Sequence, residues 1–134
     1  MLTPLQILAL HGSPRKNGNS EILLDFFLNT LNSLANFPLS IHKYRIYELK
    51  ILPCLACGEC ERTKKCKLKD DFSLFHELLP QIDFLVLSTP IYFYNHPSLV
   101  QAFFERFQYF WVKKNIFKET IRQTPLKAIW GNNL

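Results

Sequence analysis

Two stretches of this sequence carry residue types that do chemistry. The first reads His11-Gly12-Ser13-Pro14-Arg15-Lys16-Asn17-Gly18-Asn19-Ser20. Ser13, Asn17, Asn19 and Ser20 bring hydroxyl and amide donors into one short loop, and Arg15 adds a guanidinium. Gly12 and Gly18 let the backbone turn tightly. The loop lies between an apolar run and a helical pattern, so it opens onto a helix N-terminus, whose unpaired N–H groups and partial positive charge favour an anion. A bound phosphate group is expected. The spacing is neither the G-x-G-x-x-G fingerprint of dinucleotide folds nor the G-x-x-x-x-G-K of nucleotide-triphosphate loops.

The second stretch holds all four cysteines, as Cys54-x2-Cys57-x2-Cys60-x5-Cys66. Thiolates bind metals and clusters, and four of them complete a site. The compact Cys-x2-Cys-x2-Cys run is the spacing of four-iron, four-sulfur (4Fe–4S) ligation, whereas structural zinc more often takes two pairs set further apart. Free thiols, zinc and a disulfide stay open as alternatives. Lys64, Lys65, Lys67 and Lys69 beside them would offset the charge of a tetrathiolate cluster, steer an acidic electron-transfer protein, or simply solvate the loop. His11, His42, His76 and His96 show no ligand spacing with one another. His11 is expected to pack near the phosphate loop, and His76, within a helix, to be a surface or boundary residue.

These residues need elements to position them. Leu5 to Leu10 is an apolar run stopped by Gly12-Ser13-Pro14, which predicts a buried strand of a parallel sheet. From Ser20 the spacing turns helical, with Leu24, Phe27, Leu31 and Leu34 on one face, Asn19 or Ser20 as cap, and Glu21 in the first turn. Leu39 to Leu49 suggests a second strand nearer the sheet edge, followed by the cysteine loop, residues 54–66. Asp70-Asp71 begins a second helix that buries Phe72, Phe75, Leu78 and Leu79 and ends near Pro80. Asp83 to Ser88 is the clearest strand and runs into the aromatic loop Thr89 to Asn95. A third helix from Pro97-Ser98 would bury Leu99, Phe103, Phe107 and Trp111 and leave Tyr109 and Phe110 exposed for a subunit interface. Leu126 to Trp130 reads as a fourth strand. Such alternation predicts an α/β fold, a doubly wound parallel sheet with helices on both faces, and a ligand at the carboxyl ends of its strands.

The chain of 134 residues is read as one domain, residues 1–134, with 48% hydrophobic and 20% charged residues, enough to bury a core. No apolar run reaches membrane-spanning length, and the N-terminus shows no leader pattern, so a cytoplasmic protein without membrane partners is expected. The net charge of +5 suits an anionic ligand; without an arginine-rich arm or a nucleic-acid module, nucleic acid is not the expected partner.

Three motifs, in order, resemble the NADPH-dependent FMN reductase superfamily, with its flavodoxin-like fold, and more narrowly the iron–sulfur flavoproteins within it. They are His11-Gly-Ser-Pro-Arg to Asn19-Ser20, the cysteine loop leading into Asp70-Asp71, and Thr89-Pro90-Ile91-Tyr92 leading to Glu105-Arg106. The resemblance implies that Ser13, Pro14, Arg15, Asn17, Asn19 and Ser20 hold the phosphate of FMN. Pro90, Ile91, Tyr92, Phe93 and Asn95 would line its ring, the alternative being core packing of the aromatics. Gly131 and Asn132 would open a third flavin loop, and Cys54, Cys57, Cys60 and Cys66 would hold a 4Fe–4S cluster. It implies a three-layer sheet of order 2-1-3-4, with a fifth strand and last helix missing because the chain stops at Leu134, which would leave a strand edge open to pairing. The implied function is an oxidoreductase passing electrons from NAD(P)H through FMN to a small-molecule or protein acceptor, in a homodimer or tetramer. The alternatives are a non-enzymatic flavodoxin-like electron carrier, or a truncated, inactive relative acting as a binding or assembly module.

Overall fold

The computed structural model describes residues 2–120. At its centre lies β1 (Leu5–His11), flanked by β2 (Leu39–Arg45) and β3 (Phe84–Ser88), both parallel to it, in the order β2-β1-β3. The register runs from Leu5 opposite Leu39 to His11 opposite Arg45 on one side, and from Ile7 opposite Phe84 to His11 opposite Ser88 on the other. Parallel strands bring their carboxyl ends, and the loops leaving them, to one edge. The described strands follow the expected 2-1-3 order. The expected fourth strand, Leu126 to Trp130, lies outside the described residues, as do Gly131 and Asn132.

Successive side chains of β1 point to opposite faces, and both faces are covered. Leu8 and Leu10 join the larger core with Phe72, Phe75, Val100 and Phe103, while Ala9 faces Leu24 and Leu28 across the sheet. The smaller core belongs to α1 (Asn19–Leu34), a 16-residue helix that starts from Gly18, with no side-chain cap from Asn19 or Ser20. Its buried stripe is Leu24 and Leu28, with Leu31 half-buried. Phe27 and Leu34, expected on that stripe, are 45% and 78% exposed. Ile22, Leu23 and Phe26 are exposed as well, so α1 is apolar around most of its girth and periodicity alone could not pick the face that meets the sheet.

The opposite layer is aromatic. The short helix α2 (Glu59–Thr63) forms inside the cysteine loop, where sequence reading expected only a loop. The next helix, α3 (Ser73–Leu78), runs into a 3-10 turn at Leu79–Gln81 around Pro80 and buries Phe72, Phe75 and Leu79, as expected. The long third helix anticipated from Pro97 is two, α4 (Ser98–Glu105) and α5 (Gln108–Asn115). The break falls at Arg106-Phe107, where the Phe107 N–H donates to Phe104 in a tighter turn. It changes the buried face: Val100, Ala102, Phe103 and Val112 are buried, and Trp111 is 54% exposed. Tyr109 and Phe110 are not free surface: Tyr109 stacks on His76 with ring centroids 4.2 Å apart, and Phe110 packs against the core. Phe103 meets Phe75 and Phe72 edge-on at 5.0 and 5.2 Å, the arrangement ring quadrupoles prefer. Among the described residues no helix is long and apolar enough to cross a membrane.

Candidate functional site

The loop that leaves β1 is held by the loop that leaves β3. The Gly12 N–H donates to the Ser88 carbonyl at 2.8 Å, and the Ser88 hydroxyl donates to the Ser20 carbonyl at 2.7 Å. A side chain at Gly12 would force its neighbours to shift: a Cβ there would lie 2.8 Å from Val100 Cγ2 and 2.9 Å from Thr89. This close approach brings the two sequence-predicted segments together. Ser13, Arg15, Gly18, Asn19, Ser20, Pro90 and Tyr92 line one cleft of about 300 Å³. The start of α1 faces it with the N–H groups that a helix leaves unpaired. Ser13 is buried, and its Oγ accepts from the Arg15 N–H at 3.2 Å, leaving its own proton to donate. Hydroxyls, an amide, a guanidinium and helix N–H groups are the donor set a phosphate takes.

The remaining predicted residues lie outside that lining. Pro14 is exposed, and the Asn17 N–H turns to Glu21. Tyr92 and Asn95 close a tight hairpin through reciprocal backbone hydrogen bonds, with Phe93 and Tyr94 in the left-handed region at φ 46° and 68°. Ile91 and Phe93 stand 80% and 97% exposed, so the aromatic tip is not core packing.

His11 ends β1 beneath this loop. It is fully buried, and neither ring nitrogen has a partner. Burial pushes its pKa below the ordinary value, against the pull of Glu21 and with the help of Arg45 and Lys43.

All four cysteines line a second, larger cleft of about 720 Å³, together with Phe104, Glu105, Arg106 and Tyr109. Cys57 is exposed and the other three are half-buried. The loop takes its shape from three left-handed residues, Ala56, Gly58 and Lys64. Burial pushes the Cys60 thiol up, with the neighbouring thiols of Cys66 and Cys54 adding to it. Among the described residues no three ligand side chains gather as a single metal ion requires. A cubane cluster is larger and takes one thiolate on each iron, and four thiols facing one cleft are the right donor chemistry for it. Of the nearby lysines, Lys64 pairs with Glu119 at 3.3 Å and covers Phe117, while Lys65, Lys67 and Lys69 border an adjoining cleft beside Cys66.

Residues 5–123 match the family described as NADPH-dependent FMN reductase. The chain belongs to this family. Curated relatives of this family member include an iron–sulfur flavoprotein of Archaeoglobus fulgidus, 30% identical over 76% of the chain and 45% of the relative, and one of Methanosarcina thermophila, 28% identical over 76% and 52%. The chain thus spans about half the length of the curated relatives it matches. Its fold is that of the crystal structure of RosB with a bound flavin phosphate intermediate, with a TM-score of 0.57 at 18% identity over 78% of this chain and 42% of RosB. The flavodoxin-like architecture expected from the motifs is therefore the one this family member has.

The sequence places Asp70 and Glu21 at helix starts and Arg106 in a motif, but the burial and pairing of these charges in this FMN reductase relative appear only in the fold. Arg106 and Asp70, each 1% exposed at the side chain, pair at 2.5 Å. Arg106 also donates to the Leu52 carbonyl at 3.1 Å, approaches Cys66 Sγ at 3.5 Å and lies over the Phe72 ring. Asp70 accepts the N–H groups of Leu52 and Phe72, so the pair pins both ends of the cysteine loop. Burial pushes the Asp70 carboxyl up, but Arg106 and those N–H donors outweigh it and hold the group below its usual range. Glu21, also buried, sits between the loop after β1 and β2. The signal for both was present as charges inside apolar patterns: Arg106 in the run from Val100 to Phe110, and Glu21 on a helix start.

Proposed function

We propose that this chain carries the flavin site of an FMN-dependent NAD(P)H oxidoreductase of the iron–sulfur flavoprotein type. The observation that carries the proposal is the cleft where the donor-rich loop after β1 meets Pro90 and Tyr92 after β3, at the carboxyl edge of a parallel sheet. Ser13, Asn19, Ser20, Arg15 and the start of α1 would hold the phosphate, and Pro90 and Tyr92 would flank the ring. Bound FMN would supply acceptance of hydride from the nicotinamide and its release as single electrons or pairs. Cys54, Cys57, Cys60 and Cys66 would hold a 4Fe–4S cluster, which would supply one-electron steps toward the acceptor. No side chain is needed as acid or base; the protein binds, orients and excludes water. The acceptor belongs to the classes that take electrons from flavin, a small molecule or a redox protein. A homodimer or tetramer is part of the proposal, supported by the exposed apolar side chains Ile22, Leu23 and Phe26 of α1 and Trp111 of α5.

Absorption spectra of the anaerobically purified protein, before and after FMN and then NADPH, test this. Flavin bands with a broad cluster absorption, both bleached by NADPH, are expected. Flavin bands alone would leave an FMN reductase with free thiols. Flavin that NADPH and NADH cannot reduce would make the chain an electron carrier. No flavin bands after addition of FMN would overturn the assignment of the cleft.

A further inference from the structure

We propose that Glu21 is a positioning residue that sets the phosphate loop in its binding conformation before the ligand arrives; this rests on the flavin-phosphate reading of the cleft. Glu21 stands three residues after Gly18, the position from which a glutamate commonly reaches back to the backbone at a helix start. Here the capping residue is a glycine with no side chain to reciprocate, and the carboxylate reaches one residue further. Its Oε2 accepts the Asn17 N–H at 2.6 Å. Asn17 stands at φ 55°, in the left-handed region, which asparagine enters more readily than other L-residues but still at some cost. The hydrogen bond that its N–H donates to Glu21 holds it there.

The other carboxylate oxygen looks the opposite way. Oε1 is bound by the Arg45 guanidinium and lies 3.8 Å from Lys43 Nζ, both on β2. Arg45 is the register partner of His11, the last residue before the loop. The loop is therefore tied at its start by β-sheet pairing and at its end, through Glu21, to the same strand. The side chain of Glu21 is 6% exposed, so little water competes for these contacts. A carboxylate beside a phosphate site is repulsive by itself. Two cations on its far oxygen offset that charge, and the face turned to the loop serves as a hydrogen-bond acceptor. The Asn17 N–H is committed to Glu21, so the phosphate would be held by Ser13, Arg15, Asn19 and Ser20, the residues that line the cleft. A loop ordered in advance loses less entropy on binding, and that gain goes to the phosphate end of the ligand alone.

The experiment compares the wild-type chain with Glu21→Ala and Glu21→Gln, titrating each with FMN and with riboflavin, which lacks the phosphate. Loss of one hydrogen bond to a charged group predicts that Glu21→Ala raises the FMN dissociation constant about tenfold or more. Its riboflavin constant should change by less than about twofold, because the ring contacts Pro90 and Tyr92 are untouched. Glu21→Gln, whose amide oxygen still accepts from Asn17, should recover most of the loss. Equal weakening of FMN and riboflavin, or FMN binding in Glu21→Ala as tight as in the wild type, would overturn the proposal. Amide exchange at Asn17 in flavin-free protein separates it from the functional reading. Slow exchange in the wild type that becomes at least about tenfold faster in Glu21→Ala supports the latch even if FMN fails to bind, and unchanged exchange overturns it.

Discussion

Replacing Asp70 by Asn removes the charge from the most deeply buried ion pair of the described fold while keeping the shape of the side chain. Both partners are 1% exposed at the side chain and 2.5 Å apart. Arg106 would keep the Leu52 carbonyl and the Phe72 ring, but no anion. Breaking one half of a buried pair costs about 3–5 kcal/mol, because the other charge stays in low dielectric without compensation. The amide oxygen of Asn can still accept the Leu52 N–H, which places Asp70→Asn at the lower end, about 3 kcal/mol. Domains of this size have about 5–15 kcal/mol in total, so the variant should fold but with a urea midpoint lowered by about 1–2 M. Asp70→Leu combined with Arg106→Met replaces the pair by apolar groups and should recover much of the loss. The sign with pH follows from the depressed carboxyl. The unfolded chain takes up the proton first, so the contribution is complete above the ordinary value of 3.8 and is lost as pH falls through it toward the folded value. Chemical denaturation of wild type, Asp70→Leu, Arg106→Met and the double variant measures this as a cycle, with Asp70→Asn beside it. Single losses below about 1 kcal/mol that simply add in the double variant would refute the claim that this pair holds the ends of the cysteine loop together.

Two imidazoles, the buried His11 and the half-buried His76, give a second pH dependence. Burial lowers the pKa of His11 and of His76 below the ordinary 6.5, so the unfolded chain binds their protons first and stability should fall as pH drops below that value. His76→Phe, which keeps a ring against Tyr109 and Phe72, should make that slope shallower in denaturant melts run between neutral and mildly acid pH. Ser13→Ala with Asn19→Ala removes two cleft-lining donors and should weaken FMN about tenfold or more in a fluorescence titration, with riboflavin little changed. Gly12→Ala puts a methyl group within 3 Å of Val100 and Thr89, which should lower stability by about 1–3 kcal/mol and weaken FMN as well, because the two cleft loops are forced apart.

The composition of the two candidate clefts was legible in the residues themselves. Donors crowded at the strand-to-helix loop are the ground of the proposed anion site, since the helix start they flank supplies unpaired N–H groups by its geometry. The parallel sheet was equally legible, because Ile7 to Leu10 and Phe84 to Leu87 are apolar without alternation, the pattern of parallel strands. The choice among several apolar faces needed the tertiary structure. The α1 helix offers Leu24 and Leu28 beside Phe26, Phe27 and Leu34, and only contact with Ala9 decides which meets the sheet. The break between α4 and α5 was equally hidden, because it lies where Arg106 turns to reach Asp70, 36 residues away in sequence. Both Arg106 and Glu21 look like surface charges in sequence. Their roles come from partners on other strands and loops, and a buried charge is held by whatever the fold brings beside it, which periodicity does not record.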